Sequence, residues 1–338
     1  MPESQPRVRP LLVRRGARFT CAGDGLCCTD VHLLGPVSKR ERASIEAIAK
    51  TAVVRGTHLT VLTPQRNGHC VFLADAGGCA IYDTGLKPKS CHRFPFLLAA
   101  TPEGGRIGTD HRCPCRTMGE RAEVRAEDAL ELLTDARGRL WPDRRVEPRI
   151  ALSHRRVISF PRYRLLEDEL LASLARGELA AVVGDGVLPM RADALWDGVA
   201  RELDVESEHP TRWSLMQRAF ARGLVAAQHG APIEPFPRPW AESFERAERR
   251  SPAPREPEEM LADWIADVIW ALEWTLSYTL SQARVELGAR ARIARLLAAH
   301  LEEHGGLRAD TAMAEAVAIV EVSGLAEAWT AAVRQLRA

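Results

Sequence analysis

"FTCAGDGLCCTD", residues 19–30, places Cys21, Cys27 and Cys28 in a short stretch that also holds Gly23, Asp24 and Gly25. A thiolate is a soft ligand that favours zinc, copper(I) or iron–sulfur centres, and such centres commonly take four ligands. Adjacent cysteines point in different directions along a backbone. Cys27 and Cys28 therefore serve different ions, or one binds while the other packs. The glycines let the chain turn tightly around a centre. The stretch reads as a metal-bearing loop, and the fold has to be built outward from it.

Five more cysteines follow: Cys70, Cys79, Cys91, Cys113 and Cys115. The spacings are C-x5-C-C, C-x8-C-x11-C and C-x-C, which match neither a zinc finger nor a ferredoxin run. Eight thiols could supply two four-ligand sites, or one cluster with spare thiols. Gly77 and Gly78 would help the backbone wrap such a site. No cysteine follows Cys115. That asymmetry divides the chain into a cysteine-cluster domain over 1–120 and a mostly helical domain over 121–338, with a proline-rich segment near 229–259. The expected fold class is mainly α: a small loop-rich metal-binding domain with short strands, then a larger helical domain.

Composition narrows the setting. The chain has 338 residues, 46% of them apolar and 27% charged, as in soluble globular proteins. A net charge of +1 argues for neither nucleic acid nor an anionic membrane as partner. The N-terminus has no apolar stretch long enough for a signal-peptide core. The most hydrophobic segment, 261–280, carries Asp263, Asp267 and Glu273, too many carboxylates for hydrocarbon, so a buried helix is expected there. The expected location is the cytoplasm, where thiols stay reduced and clustered cysteines point to metal or catalysis before disulfides.

Local patterns add detail. "SKRERASIEAIAK" opens with Ser38 and has Glu41 three residues on, a capping box that predicts a helix. Residues 70–73 and 80–82 read as short strands around the turn "ADAGG". Helices are expected at 127–133 and 164–178, and again near 259–282, 285–304 and 311–336. Residues 153–163 read as a strand or extended link, and the proline-rich segment as a linker or a strip lying on the surface. The basic stretch 7–18 is expected to be a solvated arm. Trp264, Trp270 and Trp274 share one expected helix and read as core anchors.

The motifs "FTCAGDGLCC", "CVFLADAGGCAIYDTGLKPKSCHRFPF" and the late "CP" together resemble the cysteine-cluster (CxxCxxCC) family of zinc- or iron-chelating domains, the YkgJ type. The matching residues are Cys21, Cys27 and Cys28; Cys70 with Phe72 and Leu73; Cys79 with Ile81 and Tyr82; then Pro88, Cys91, Arg93, Phe94 and Pro95; and Cys113 with Pro114. The resemblance covers about residues 19–115. It implies that these cysteines are metal ligands for zinc or iron, with an iron–sulfur cluster among the options. Asp24 stands where the family places its second cysteine, so it is a candidate ligand of harder character, and Cys115 is a candidate compensating donor. The order of motifs also resembles flagellin lysine-N-methylases, which implies a protein or peptide substrate for an enzyme of that kind.

Beside the cluster, His69 and His92 each adjoin a cysteine and His111 lies two residues before Cys113; all three could bind metal or orient a ligand, although solvent exposure is the expected state. Tyr82, Phe94 and Phe96 are expected to form an apolar wall around the site. "AAVVGDGVL", 180–188, is too poor in glycine to be an S-adenosylmethionine loop, so that cofactor has no motif here. Three functions remain on sequence grounds. The first is a metal-binding protein whose ion stabilises a loop-rich domain. The second is an iron–sulfur-dependent enzyme related to protein lysine N-methylases, and the third an interaction module with a structural metal site. The sequence fixes neither the oligomeric state nor the metal.

Overall fold

The computed structural model of the chain describes residues 5–323, apart from 57, 136, 185–192 and 252. Helix makes up 48% and strand 14%, so the chain is mainly α, with its short strands confined to residues 11–159 and helices beyond. In the first part, β1 (Leu11–Val13) is followed by α1 (Lys39–Ile48), β2 (Val53–Arg55) and β3 (Thr60–Leu62). Then come α2 (Lys89–Arg93), β4 (Phe96–Ala100), β5 (Gly105–Thr109) and α3 (Pro114–Thr117). The chain continues through α4 (Ala126–Leu130), β6 (Arg144–Arg145), β7 (Arg149–Ser153) and β8 (Arg156–Ser159).

The helical part runs through α5 (Phe160–Ala175), α6 (Leu179–Val183), α7 (Asp193–Leu203) and α8 (Arg212–His229). It closes with α9 (Ala241–Arg249), α10 (Pro257–Ala271), α11 (Leu280–Gly305) and α12 (Ala309–Val322). Its core is the largest apolar cluster, which reaches back to Leu26, Val31, Ala99 and Met118. A much smaller core lies under the cysteine loops around Ile45, Leu62, Cys70, Phe72 and Ile81.

Strand order in the four-stranded sheet is β1-β5-β4-β6. β1 runs parallel to β5 with Leu11 opposite Gly105, and β4 pairs antiparallel to β5 with Phe96 opposite Thr109. The basic stretch 7–18 is therefore no solvated arm: it supplies an edge strand, and Arg14 just beyond it is buried. The reason is a pair of acidic partners on α10, described below.

Helix ends follow the local chemistry. The Ser38 box forms as expected: Glu41 N–H donates to Ser38 Oγ at 3.3 Å, and Ser38 N–H donates to the Glu41 carboxylate at 2.8 Å. The helix expected over 259–282 stops at Ala271, because Leu272 turns left-handed (φ 59°) and a 3-10 turn, Glu273–Leu276, follows. Thr279 then caps α11, which runs through the expected 285–304 unbroken. The proline-rich segment is not all linker, since α9 lies inside it. Within 153–163, β8 gives way to α5 at Phe160. The last expected helix appears as α12, and the remainder of that stretch, like 185–188 of "AAVVGDGVL", lies outside the described residues.

Residues 70–73 and 80–82 are not strands. They meet neighbours only through single bridges, Pro64 with Cys70 and Leu73 with Cys79. Their backbone groups are taken by turns instead: Leu73 N–H donates to the Cys70 carbonyl at 2.9 Å and Tyr82 N–H to that of Cys79 at 3.1 Å. This keeps the cysteine-bearing region a set of stacked loops.

Candidate metal centre

Asp24 sits in a turn made by two left-handed glycines, Gly23 (φ 67°) and Gly25 (φ 85°). Its carboxylate accepts the Leu26 N–H at 2.8 Å, which starts the 3-10 turn Leu26–Cys28. Opposite lies α3, whose first residue is Pro114, a residue suited to a helix start, with Cys113 immediately before it. Cys115 Sγ donates to Asp24 Oδ2 at 2.7 Å and accepts the Ala22 N–H at 3.1 Å. Asp24, Cys113 and Cys115 are all buried, and their ligand atoms lie within 4.8 Å of one another. Cys21, at the exposed rim, shares a hydrogen bond with Cys115. Four of the nine sequence candidates thus meet around one thiol.

The electrostatics describe a site that holds protons where a cation would bring charge. Burial is the largest influence on Asp24 and raises its carboxyl, against the hydrogen bonds from Cys115 and Leu26. A hydrogen bond with Cys113 raises the Cys115 thiol, and one with Cys115 raises Cys21. The hydrogen bond with Cys115 lowers Cys113, but burial and the nearby Asp24, Cys27 and Cys21 push it up to about 11. Three acidic donors buried together carry a strong cost as anions. A bound divalent ion would remove it by displacing the protons. The donor set fits a borderline-soft cation that accepts both sulfur and oxygen.

The remaining five cysteines form a neighbouring group. Cys27 Sγ and Cys28 Sγ are 4.0 Å apart, and Cys70 N–H donates to the Cys28 carbonyl at 2.7 Å. Cys70 belongs to the small loop core, with Cys28, Cys79 and Cys91 packed against it.

The expectations for the aromatic and histidine residues need correcting. Tyr82 is half-exposed beneath Lys87, whose ammonium lies 4.4 Å from the ring centre, so it walls no site. Phe94 packs edge-on against His32, and Phe96 packs against Phe19 in a separate core. His69 and His92 are partly exposed, but His111 is buried. Both His111 nitrogens have partners: Nε2 with Asp267 at 3.1 Å, and Nδ1 with the Thr117 hydroxyl at 3.3 Å.

Sequence reading missed what holds the centre in place. Arg246 on α9 donates Nε–H to the Asp24 carbonyl at 2.9 Å, and Arg250 donates to the carbonyls of Gly23 at 3.0 Å and Ala76 at 2.9 Å. On the other side, Arg116 of α3 donates to Asp263 at 2.6 Å and Asp267 at 2.7 Å, both on α10. Arg14 donates to the same Asp267 at 2.6 Å, and Arg255 to Asp263 at 3.1 Å. The available signal was the pair of carboxylates four residues apart on an apolar helix: buried acids must find cations.

Residues 20–121 match a family model, CxxCxxCC, described as "Putative zinc- or iron-chelating domain". That stretch is similar to the cysteine-cluster domains the model describes. No curated protein matches the chain, and no solved structure does. The domain match and the Asp24–Cys113–Cys115 group together support a zinc- or iron-chelating cysteine-cluster protein. Among the described residues, no helix is long and apolar enough to cross a membrane.

Proposed function

We propose that the chain binds one zinc or ferrous ion through Asp24, Cys113 and Cys115, with Cys21 as the fourth donor at the solvent edge. The observation that carries this is the convergence of three buried ligand atoms within 4.8 Å from two segments far apart in sequence. When bound, the ion would supply positive charge that the buried donors lack. The chain's own residues do the rest. Ala22 N–H orients the Cys115 sulfur, Leu26 N–H orients the Asp24 carboxylate, and Arg246 adds a cation behind that carboxylate.

One observation favours a second reading, in which the centre belongs to an enzyme. A cavity of about 450 Å³ is lined by Asp110, His111 and Arg112, directly before Cys113, and by Trp213, Trp264 and Glu321 from the helical part. A small molecule seated there would lie against the segment that carries the ligands. Metal analysis of protein purified without oxygen tests the first reading. One equivalent of zinc or iron in the wild type that is lost in D24A/C115S is expected, and unchanged content in that variant would refute it. Turnover requires its own evidence; a substrate-dependent change in the metal's spectrum would support the second reading.

A further inference from the structure

We propose that the cavity along α10 binds an α-amino acid with an apolar side chain, held at its charged end by Arg290, Arg112 and Glu321. The cavity is the one named in the second reading above, but this site requires neither a bound metal nor turnover.

Arg290 on α11 is only 7% exposed, and its guanidinium is divided between two acids. Nε donates to Glu286, and Nη1 donates to Glu321 Oε1 at 3.0 Å. The Trp264 indole N–H donates to that same Oε1 at 2.7 Å. Among the described residues, Arg290 Nη2 and Glu321 Oε2 have no hydrogen-bond partner. Both residues line the cavity of about 450 Å³. A guanidinium usually meets a carboxylate through two parallel bonds. Here the pairing is single, so one ion pair keeps a donor nitrogen and an acceptor oxygen in hand. Donors left unmade on a buried cation are costly, which favours a ligand that completes them.

Arg112 adds to the same end. Its Nε and Nη2 are taken by Asp110, Nη1 has no partner among the described residues, and the side chain lies near enough to Glu321 to feel its charge. A carboxylate alone would gain the two arginines but face Glu321 and Glu286, and an amine alone would gain Glu321 but face the arginines. A molecule with carboxylate and ammonium on one carbon meets both needs at once. The other charged groups of the wall do not compete, since Asp267 already accepts from Arg14, Arg116 and Thr109 and pairs with His111. The rest of the wall is apolar: Leu97, Trp213 and Val268, each part-buried, and Val320. That surface suits an apolar side chain beyond the charged end.

The test is calorimetric titration of the full chain with L-phenylalanine and L-leucine, beside 3-phenylpropanoate, which lacks the ammonium, and 2-phenylethylamine, which lacks the carboxylate. Saturable one-to-one binding of at least one amino acid is expected, with both analogues weaker by about tenfold or more, because each leaves a charged protein group unmatched. E321Q should weaken phenylalanine by a similar factor and leave 3-phenylpropanoate no weaker. If E321Q fails to fold, the analogue series on the wild type decides. Either analogue binding as tightly as phenylalanine would overturn the proposal, and so would no saturable binding of either amino acid by folded wild type. Binding should persist in D24A/C115S. Amino-acid binding that leaves the metal's spectrum unchanged would uphold this site while the enzyme reading fails.

Discussion

Replacing Asp267 by asparagine should be among the most damaging isosteric changes in the protein. The carboxylate accepts from Arg14 and Arg116 at 2.6 and 2.7 Å, from the Thr109 hydroxyl, and faces His111 at 3.1 Å. Arg116 is fully buried and Arg14 nearly so, so neither guanidinium can turn to water. Asparagine keeps the shape, removes the charge, and presents an N–H₂ where a donor already stands. The lattice then holds Arg14, Arg116 and Arg255 against Asp263 alone. Breaking a buried pair in this way costs about 3–5 kcal/mol. At about 1.4 °C per kcal/mol for a chain of 338 residues, the melting temperature should fall by roughly 4–7 °C. The pH profile gives a second readout. Burial alone would raise the Asp263 and Asp267 carboxyls, but Arg116 and Arg14 overcome it and hold both below the ordinary value. A carboxyl depressed in the folded state contributes stability above its unfolded value, near pH 4, and loses it as pH falls further. Wild-type protein should therefore weaken steeply below about pH 4, and D267N much less. A loss under about 1 kcal/mol in urea unfolding, with the acid limb unchanged, would refute this account of the lattice.

Other outcomes follow from single sites. Gly77→Ala should cost more than Gly78→Ala, although both have positive φ: a Cβ at Gly77 would meet the Gly23 carbonyl oxygen at 2.5 Å, whereas one at Gly78 meets nothing within 4 Å. About 1 kcal/mol of backbone strain is expected for G78A, and visibly more for G77A, in thermal unfolding. Burial and the nearby Arg112 push His32 down to about 3, against Asp110. The unfolded chain therefore takes up that proton first, and stability should fall by about 3 kcal/mol from pH 7 to 4; H32F should show a flatter limb, and an identical profile would exclude His32 as the cause. C27S/C28S should loosen the loop core against which Cys28 packs and lower the melting temperature while leaving the Asp24 centre loaded, and loss of that metal would place one of the pair among its ligands. R246A should weaken zinc retention at the Asp24 centre, seen in competition with a chelator, while R246K recovers part of it.

The sequence made the loops legible because cysteine and glycine carry unusual local chemistry. The Ser38–Glu41 box, the left-handed turns at Gly23, Gly25, Gly77 and Gly78, and the break of helical patterning at the proline-rich segment could all be read from neighbours in the chain. The strands at 70–73 and 80–82 were misread because apolar alternation says nothing about whether a partner strand exists. The grouping of donors was beyond reach as well. That Asp24 faces Cys115, 91 residues away, depends on loops whose closure no periodicity encodes. His111 shows the same limit: a histidine two residues before a cysteine looks like a ligand or a surface residue, and only the arrival of Asp267 from α10 makes it a buried hydrogen-bonding partner.

The arrangement of arginines ties the cysteine-bearing loops to the helical region that follows them. Loops that carry acidic donors hold protons on them until a cation binds, and their backbone carbonyls point in several directions with few ladders to satisfy them. Arg246 of α9 and Arg250 just past its end satisfy three of those carbonyl positions, at Asp24, Gly23 and Ala76. Arg116, next to Cys115, is in turn fixed by two carboxylates of α10. The two ligand-bearing segments are thus each anchored to a different helix, and α9 and α10 both pack against α12. A metal ion entering this site would meet donors already close together. That preorganisation lowers the ordering cost of binding, and it makes the helical part a contributor to metal affinity although it holds no ligand.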